Sequence, residues 1–154
     1  MPSEFKHIRR VDFSDTDLAG IVHFPNFFKY LEAAEHAFFR SLGWSIVMDK
    51  HDPPLGWPRV HVSCDYLAPL KFEDEVETHL LISRITTKSL TYVFRMRKLN
   101  TRPPVEVAKG KLTVVCVTRD SSGTFVPLPI PPDIARKLEV APETHLHPPP
   151  AHAP

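Results

Sequence analysis

The chain has 154 residues, a formal net charge of +1 and a sequence pI near 7.9. A chain of this length is predicted to form one domain with a sizeable hydrophobic core. The charge balance lacks the basic surplus that nucleic-acid binding requires, so we expect no nucleic-acid partner.

The N-terminal segment MPSEFKHIRR is charged and has no apolar core, which predicts neither a signal peptide nor a membrane span. Cys64 and Cys116 lie in strand-like segments without metal-site spacing, so we expect a reduced, cytoplasmic setting. Residues 5–13 are predicted to form a first strand that leads into an acidic turn.

This acidic turn carries two carboxylates two residues apart, Asp15 and Asp17, and the longest predicted helix follows it. Pro25 suits the start of that helix because its φ is fixed near the helical value and it has no N–H to lose. Nothing interrupts the helix before Leu42, and Gly43 supplies a left-handed stop.

The apolar side of the helix is broad. At about 100° per residue, one side collects Phe27, Tyr30, Leu31, Ala34, Phe38 and Leu42. Phe28 and Phe39 widen this side well past the ~100° arc of an ordinary surface helix, which predicts a helix enclosed on most of its circumference. Glu35 falls inside the arc, either as a buried carboxylate with a backbone or arginine partner or as a group lining a pocket.

The start of this helix should attract negative charge because its first N–H groups lack intrahelical partners and the helix dipole is positive there. A carbonyl oxygen that gains negative charge is stabilised at such a place. A compact turn would bring Asp17 near the backbone of Phe24 and Asn26. A carboxylate and an anion-stabilising helix start are the smallest set of groups needed for acyl transfer. Asp is also common in turns for conformational reasons.

After the helix, residues 44–57 contain turn signals and form either the roof of a pocket or a plain surface loop. Alternating apolar and polar residues then predict four more strands. These cover residues 59–66, 76–85, 90–97 and 107–118. One long helix and five antiparallel-type strands predict an α+β architecture in which a curved sheet wraps around the helix.

Near the C-terminus, Asp133 is predicted to cap a short helix within residues 127–138. We place the folded domain at residues 1–139, and we expect the Pro-, His- and Ala-rich residues 140–154 to be disordered or loosely attached. The tail contains three histidines, His145, His147 and His152. No cysteine or carboxylate set converges with them, so we predict no metal site and no cofactor.

A family resemblance rests on the segments Asp15-Thr16-Asp17, Ala19-Gly20-Ile21-Val22 and Phe24-Pro25-Asn26, followed by a helix that carries Glu32 and Glu35. Together they resemble the signature of the 4-hydroxybenzoyl-CoA thioesterase-like branch of the hotdog-fold superfamily. The remaining strands fit that layout to residue 138. The resemblance implies a hotdog fold, hydrolysis of an acyl- or aroyl-CoA thioester, and a homodimer or homotetramer with active sites at the subunit boundary.

The resemblance also implies roles for individual residues. Asp17 would be the catalytic carboxylate, as nucleophile or general base, while the backbone N–H of Phe24 polarises the thioester carbonyl and Asp15 braces the loop. The candidate substrate contacts are His23, Asn26, Glu35, Lys88 and Ser89. Lys88 and Ser89 lie in a basic turn where related thioesterases often place such residues beside the pantetheine and diphosphate.

His23 receives no catalytic role from the resemblance, because a related branch has its histidine at the position held here by Phe24. A surface or packing imidazole and a pocket role both stay open for it.

Three alternatives stay open. A hydratase or dehydratase on the same fold needs a His paired with an acid, and His36 lies on the polar side of the helix. A non-catalytic module would bind acyl-CoA saturably without turnover. A metal site formed by Asp15, Asp17 and His23 would lose activity on chelation. The acyl group itself is undetermined.

Overall fold

The computed structural model describes residues 2–148. Its main body is a five-stranded antiparallel sheet in the order β1-β3-β4-β5-β2, so β1 and β2 form the two edges. The strands are β1 Glu4–Arg10, β2 Arg59–Tyr66, β3 Glu75–Ile85, β4 Ser89–Lys98 and β5 Val105–Val115. The predicted α+β architecture, a curved sheet around one long helix, is confirmed.

The long helix, α1, spans Asn26–Ser41, close to the predicted bounds. Pro25 precedes it with a φ of −65°, and Gly43 follows it with a φ of +90°, a conformation that glycine adopts without strain. The residues of α1 that are buried are Phe27, Tyr30, Leu31, Ala34, Glu35, Phe38 and Phe39. They cover much of the circumference, as expected for a helix enclosed by a sheet.

The inner face of the sheet packs directly against α1. On β4, alternate residues are buried, and the Tyr92 ring meets the Phe38 ring edge-on with 6.4 Å between centroids. Gly110 on β5 lies where a Cβ atom would sit 2.8 Å from Cζ of Phe94 and 1.9 Å from the Ser63 carbonyl oxygen. Only glycine leaves room for this close approach of the strands.

Several short elements surround this body. The chain leaves β1 at Arg10, earlier than predicted, and forms a 3-10 turn at Phe13–Asp15. Strands β6, Val117–Arg119, and β7, Phe125–Pro127, pair as a separate ribbon.

The short helix α2 spans Pro132–Ala135, but the prediction that Asp133 caps it is wrong. The capping position belongs to Pro131, and Asp133 lies inside the first turn without a side-chain cap. The two prolines fix the entry to the helix, so its start lies earlier than the Asp signal indicated.

The segment 44–57 is packed partly into the core. Met48, Leu55 and Trp57 are buried, and the Trp57 ring lies 5.6 Å from that of Phe39. This segment therefore closes the end of the core near the C-terminus of α1. Within residues 2–148, no helix is both long enough and apolar enough to cross a membrane.

The C-terminal segment differs from the loose tail that the sequence predicts. A third short helix, α3 at Glu143–Leu146, lies on the outer face of the sheet, where Ala141 and Leu146 are buried against Leu81. The Ala141 N–H donates to the Ile82 carbonyl at 2.8 Å. The domain boundary at residue 139 stays a prediction.

Arg95 on β4 fixes this segment further, because its guanidinium donates to the carbonyl oxygens of His145, at 3.0 Å, and Leu146. The composition of the tail does not reveal these contacts, because they come from a strand that is distant in the sequence. Of the three predicted tail histidines, His152 lies outside the described residues.

Candidate active site

The acidic turn folds back on itself before α1 begins. Thr16 and Val22 form an isolated antiparallel bridge, and the Asp17 N–H donates to the Ile21 carbonyl at 3.0 Å. Gly20 closes the turn with a φ of +74°. A residue with a side chain is strained in that conformation, so glycine permits the compact loop.

Asp15 lies at the base of this turn and is 1% exposed. Its carboxylate accepts hydrogen bonds from the Lys29 Nζ at 2.7 Å, the Tyr30 hydroxyl at 2.8 Å and the Asp12 N–H at 3.3 Å. Burial alone would raise the pKa of Asp15, but the bonds from Lys29 and Tyr30 outweigh it and lower the pKa. Asp15 is therefore an ionised group that ties the turn to α1.

Asp17 has a different environment, with 35% of its side chain exposed. Its Oδ1 accepts the Ala19 N–H at 2.8 Å, which orients the carboxylate within the turn. Its Oδ2 lies 3.6 Å from Nδ1 of His23. One oxygen of Asp17 is thus fixed by a hydrogen bond within the turn, while the other lies beside His23, the residue before Phe24.

The backbone at the helix start leaves one donor open. The His23 N–H donates to the Asp15 carbonyl and the Asn26 N–H to the His23 carbonyl, both at 2.9 Å. Within residues 2–148, no acceptor hydrogen-bonds the N–H of Phe24. The structure therefore places Asp17 beside His23, next in the chain to this open N–H, and the roles expected for Asp17, His23 and Phe24 stay predictions.

Asn26, a predicted substrate contact, has its side chain engaged inside the protein. Its Nδ2 donates to the Asp15 carbonyl at 2.8 Å and so fixes the first turn of α1 to the acidic turn. A substrate contact by this residue stays a prediction.

Tyr66, at the end of β2, borders the same place and was not singled out from the sequence. Its hydroxyl donates to the Phe24 carbonyl at 3.1 Å, and its ring meets the Phe27 ring edge-on at 5.1 Å. The alternation of β2 places Tyr66 on the strand's apolar side, but only the pairing of strands shows that it reaches the start of α1.

Glu35 lies further along α1 and is fully buried. Arg59 Nη2 donates to its Oε2 at 2.5 Å and lies 3.5 Å from Oε2 of Glu32. Burial raises the pKa of Glu35 to about 7, although the Arg59 charge opposes that rise. An arginine partner is one of the alternatives that the sequence left open for Glu35.

A β-bulge brings Arg59 to this position. Arg59 pairs with Val114, whereas His61 pairs with Thr113, so the register shifts between the two. The strict alternation predicted for β2 put Arg59 on the same side as His61, and that placement is wrong. The bulge turns Arg59 toward the inner face of the sheet, and a period-two pattern cannot reveal such a bulge.

Two polar atoms close to this pair have no hydrogen-bond partner in the described part of the chain. They are Oε1 of Glu35 and the hydroxyl of Tyr92, both buried. Burial raises the pKa of the Tyr92 hydroxyl, and the charge of Glu35 raises it further. Arg59 and Glu32 line a cavity of about 330 Å³, together with Phe28, Lys29, Leu31 and Val62.

Lys88 and Ser89 are not brought to the acidic turn within one chain. The Ser89 hydroxyl lies 2.6 Å from that of Thr86, and Lys88 is exposed in the same turn. Ser89 is the first residue of β4. At the other end of that strand, Met96 pairs with Ala108, which in turn pairs with Tyr66 beside the acidic turn. Seven residues of strand separate the two ends by roughly 23 Å.

A cavity of about 1000 Å³ lies on the outer face of the sheet. Its lining includes His61, Asp65, Arg95 and Lys109, but neither Asp17 nor Phe24. Volume alone therefore does not locate the chemistry. Among residues 2–148, no group of three or more His, Cys, Asp or Glu side chains is arranged to hold a metal ion.

Comparison with known proteins gives consistent matches. The family model of the Thioesterase-like superfamily matches residues 11–138. The chain is 35% identical over 120 residues to a 1,4-dihydroxy-2-naphthoyl-CoA hydrolase from Nostoc punctiforme, which covers 76% of each protein. The solved structure of a gentisyl-coenzyme A thioesterase aligns with a TM-score of 0.71 and 30% identity over 84% of this chain and 98% of that one.

The 4-hydroxybenzoyl-CoA thioesterase from Pseudomonas sp. strain CBS-3 aligns with a TM-score of 0.78 over 88% of this chain and 99% of that one. The identity is 19%, so this likeness shows a shared fold.

Proposed function

The chain belongs to the Thioesterase-like superfamily, and from this membership we propose that it hydrolyses an acyl- or aroyl-CoA thioester to the free acid and CoA. The family resemblance, the hotdog fold and the class of thioester hydrolase predicted from the sequence are confirmed. The observation that carries the proposal is the Asp17 carboxylate, whose Oδ2 lies 3.6 Å from the ring of His23. The next residue, Phe24, has a backbone N–H without an acceptor within residues 2–148.

Asp17 acts on the thioester carbonyl carbon by one of two routes. As a general base, it takes a proton from a water molecule whose oxygen attacks that carbon. As a nucleophile, its carboxylate oxygen attacks the carbon and the resulting anhydride is then hydrolysed by water. In both routes the C–S bond breaks, and the CoA thiolate leaves and takes up a proton.

The N–H of Phe24 stabilises the negative charge that develops on the carbonyl oxygen. No acceptor among residues 2–148 occupies this donor, and it lies at a helix start, where the helix dipole adds positive potential. The exposed rings of Phe24 and Tyr66, with His23 beside them, border the place where the acyl group would enter. Contacts of His23 and Asn26 with substrate are part of this proposal.

A homodimer would complete the site. Edge strand β2 is exposed and carries Val60 and Val62 at 61% and 43% exposure. Antiparallel pairing of β2 with the same strand of a second copy would bring that copy's Lys88 and Ser89 toward this acidic turn, where they could contact the CoA diphosphate. Light scattering should give a mass near twice 17.5 kDa, or four times for a tetramer, and a monomer would contradict the proposal.

The acyl group is proposed to be aromatic. The Nostoc relative and the gentisyl-coenzyme A thioesterase are both named for aromatic acyl groups, and the two are among the more similar proteins. Aromatic side chains around the start of α1 offer edge-on contacts to such rings.

Thiol release from a panel of CoA thioesters tests this function. The panel contains benzoyl-CoA, 2-naphthoyl-CoA, hexanoyl-CoA and dodecanoyl-CoA, and the assay follows free thiol with wild-type protein. We expect catalytic turnover, with the aromatic thioesters giving the higher kcat/KM. Saturable binding of these thioesters without thiol release would contradict hydrolysis and favour the acyl-CoA-binding module instead.

A further inference from the structure

Thioester hydrolysis needs a proton at two different atoms. When the C–S bond breaks, negative charge develops on the sulfur of CoA, and because an ordinary thiol has a pKa of about 8.5, the departing thiolate takes up a proton at neutral pH. In the general-base route, Asp17 removes a proton from the attacking water, while the Phe24 N–H stabilises the carbonyl oxygen. The proton that Asp17 takes therefore has to reach the sulfur, which is a different atom from the one that the water attacks.

His23 lies beside the oxygen of Asp17 that is available for this proton. Its Nδ1 is 3.6 Å from Oδ2 of Asp17, whereas Oδ1 accepts the Ala19 N–H within the turn. A separation of 3.6 Å is slightly longer than a hydrogen bond, and contacts of this kind at active sites often tighten only when substrate binds. A proton gained on Oδ2 is thus next to a ring nitrogen that can accept it.

The backbone fixes the place of the imidazole and leaves its far side open. The His23 N–H donates to the Asp15 carbonyl, and its own carbonyl accepts the Asn26 N–H, both at 2.9 Å. The ring meets that of Phe24 edge-on, with 5.1 Å between centroids, and the side chain is 53% exposed. Its Nε2 has no partner within residues 2–148. An imidazole with one nitrogen beside a carboxylate and the other open can pass a proton from one side to the other.

We propose that His23 is a further catalytic residue, the general acid that protonates the sulfur of the departing CoA. The inference rests on the proposed thioesterase function and on its general-base route. It assigns the proton transfers at both ends of the reaction to one adjacent pair of side chains, Asp17 and His23.

The proton transfers balance in this scheme. The water oxygen bonds to the carbonyl carbon while Oδ2 of Asp17 takes a proton from that water. Nδ1 of His23 accepts this proton, and Nε2 releases its own proton to the sulfur as the C–S bond breaks. The products are the free acid and the CoA thiol, Asp17 is again a carboxylate, and the exposed ring of His23 exchanges protons with solvent to recover its starting tautomer.

Two thioesters of one acid that differ in the leaving group test this inference. They are 2-naphthoyl-CoA and the S-(4-nitrophenyl) thioester of 2-naphthoic acid. The nitroaryl thiolate spreads its charge over the ring and leaves without a proton, whereas the alkyl thiolate of CoA does not. His23→Phe keeps an aromatic ring but has no proton to give, so kcat/KM should fall at least about tenfold for the CoA thioester and stay within about twofold for the nitrophenyl thioester.

Two further variants serve as controls. His147→Phe is the matched one, because Nε2 of His147 also lies beside a carboxylate, 3.7 Å from Oε2 of Glu143, but at the end of α3 on the outer face of the sheet. It should keep the wild-type rates with both thioesters. Asp17→Asn should lower both rates, since the attack of water needs the carboxylate whichever thiol leaves.

Chemical rescue separates proton transfer from a structural role. His23→Ala leaves room for a free imidazole, so imidazole in the buffer should restore part of the lost turnover of 2-naphthoyl-CoA. Imidazole should restore nothing in Asp17→Asn. A purely structural role of His23 would lower the turnover of both thioesters by the same factor and give no rescue.

Three results would overturn the inference while leaving thioester hydrolysis in place. They are wild-type kcat/KM of His23→Phe on 2-naphthoyl-CoA, equal fractional losses on both thioesters, and no imidazole rescue of His23→Ala. Absence of thiol release by wild-type protein from every thioester would instead overturn the proposed function, and this inference with it.

Discussion

Asp15 and Asp17 are two residues apart in one turn, yet their surroundings differ in almost every respect. Asp15 is buried and accepts three hydrogen bonds, two of them from side chains of α1. Asp17 is 35% exposed and accepts one backbone N–H, and its other oxygen lies beside His23. A carboxylate whose lone pairs are filled by the protein stabilises structure, whereas one with an open oxygen is available for chemistry.

Glu35 lies between these extremes and sharpens the contrast. It is as buried as Asp15, but in the described part of the chain only its Oε2 has a partner, the guanidinium of Arg59. Bonds from Lys29 and Tyr30 lower the pKa of Asp15, while burial raises that of Glu35 to about 7. The three carboxylates therefore differ in how many of their oxygens accept hydrogen bonds and in how deeply they are buried.

The largest stability effect is expected from Asp15→Ala. The change leaves the Tyr30 hydroxyl buried without its acceptor and removes the partner of Lys29, which is itself half exposed. We expect a loss of about 2 to 4 kcal/mol in the free energy of unfolding, measured by urea denaturation.

Asp17→Ala is the matched control for that measurement. It removes one hydrogen bond at an exposed position, so its loss should stay below about 1 kcal/mol. Equal losses in the two variants would remove the distinction between a structural and a free aspartate.

A second effect on stability, with a defined pH dependence, is expected at Glu35. The pKa of Glu35 is about 7 in the folded chain against an ordinary value of 4.5, so between these pH values the folded state holds a proton that the unfolded state has released. Stability from this group is fully present below pH 4.5 and falls as the pH rises through 7, by on the order of 3 kcal/mol.

Glu35→Gln has no such titration, so the difference in stability between this variant and wild type should change in favour of the variant from pH 4.5 to pH 8. Urea denaturation of both proteins at several pH values measures it. Parallel pH profiles would contradict a raised pKa at Glu35.

The elements that begin and end on local signals could be predicted from the sequence. Pro25 and Gly43 mark the ends of α1, and the alternation of apolar residues locates the main strands closely. The association of Asp17 with the helix start was also predictable, because a short glycine-containing turn leaves little freedom between them.

The features that depend on distant contacts were not predictable in this way. The bulge that turns Arg59 inward, the reach of Tyr66 to Phe24 and the docking of Ala141 on β3 all depend on how strands meet. A single sequence gives the types of these residues but does not show which distant residues they contact in the fold. Likewise, the chemistry of Lys88 and Ser89 makes them candidate substrate contacts in the sequence. Their distance from the acidic turn depends on the length of β4, which separates them from it.

The most direct test of the central claim is thiol release by Asp17→Asn, measured on the best aromatic thioester. The isosteric amide keeps the size of the side chain but is a poor base and a poor nucleophile, so kcat/KM should fall by at least about a hundredfold. Thermal denaturation of the same sample should stay within a few degrees of wild type. Activity near the wild-type level in a folded Asp17→Asn protein would contradict the assignment of Asp17 as the catalytic carboxylate.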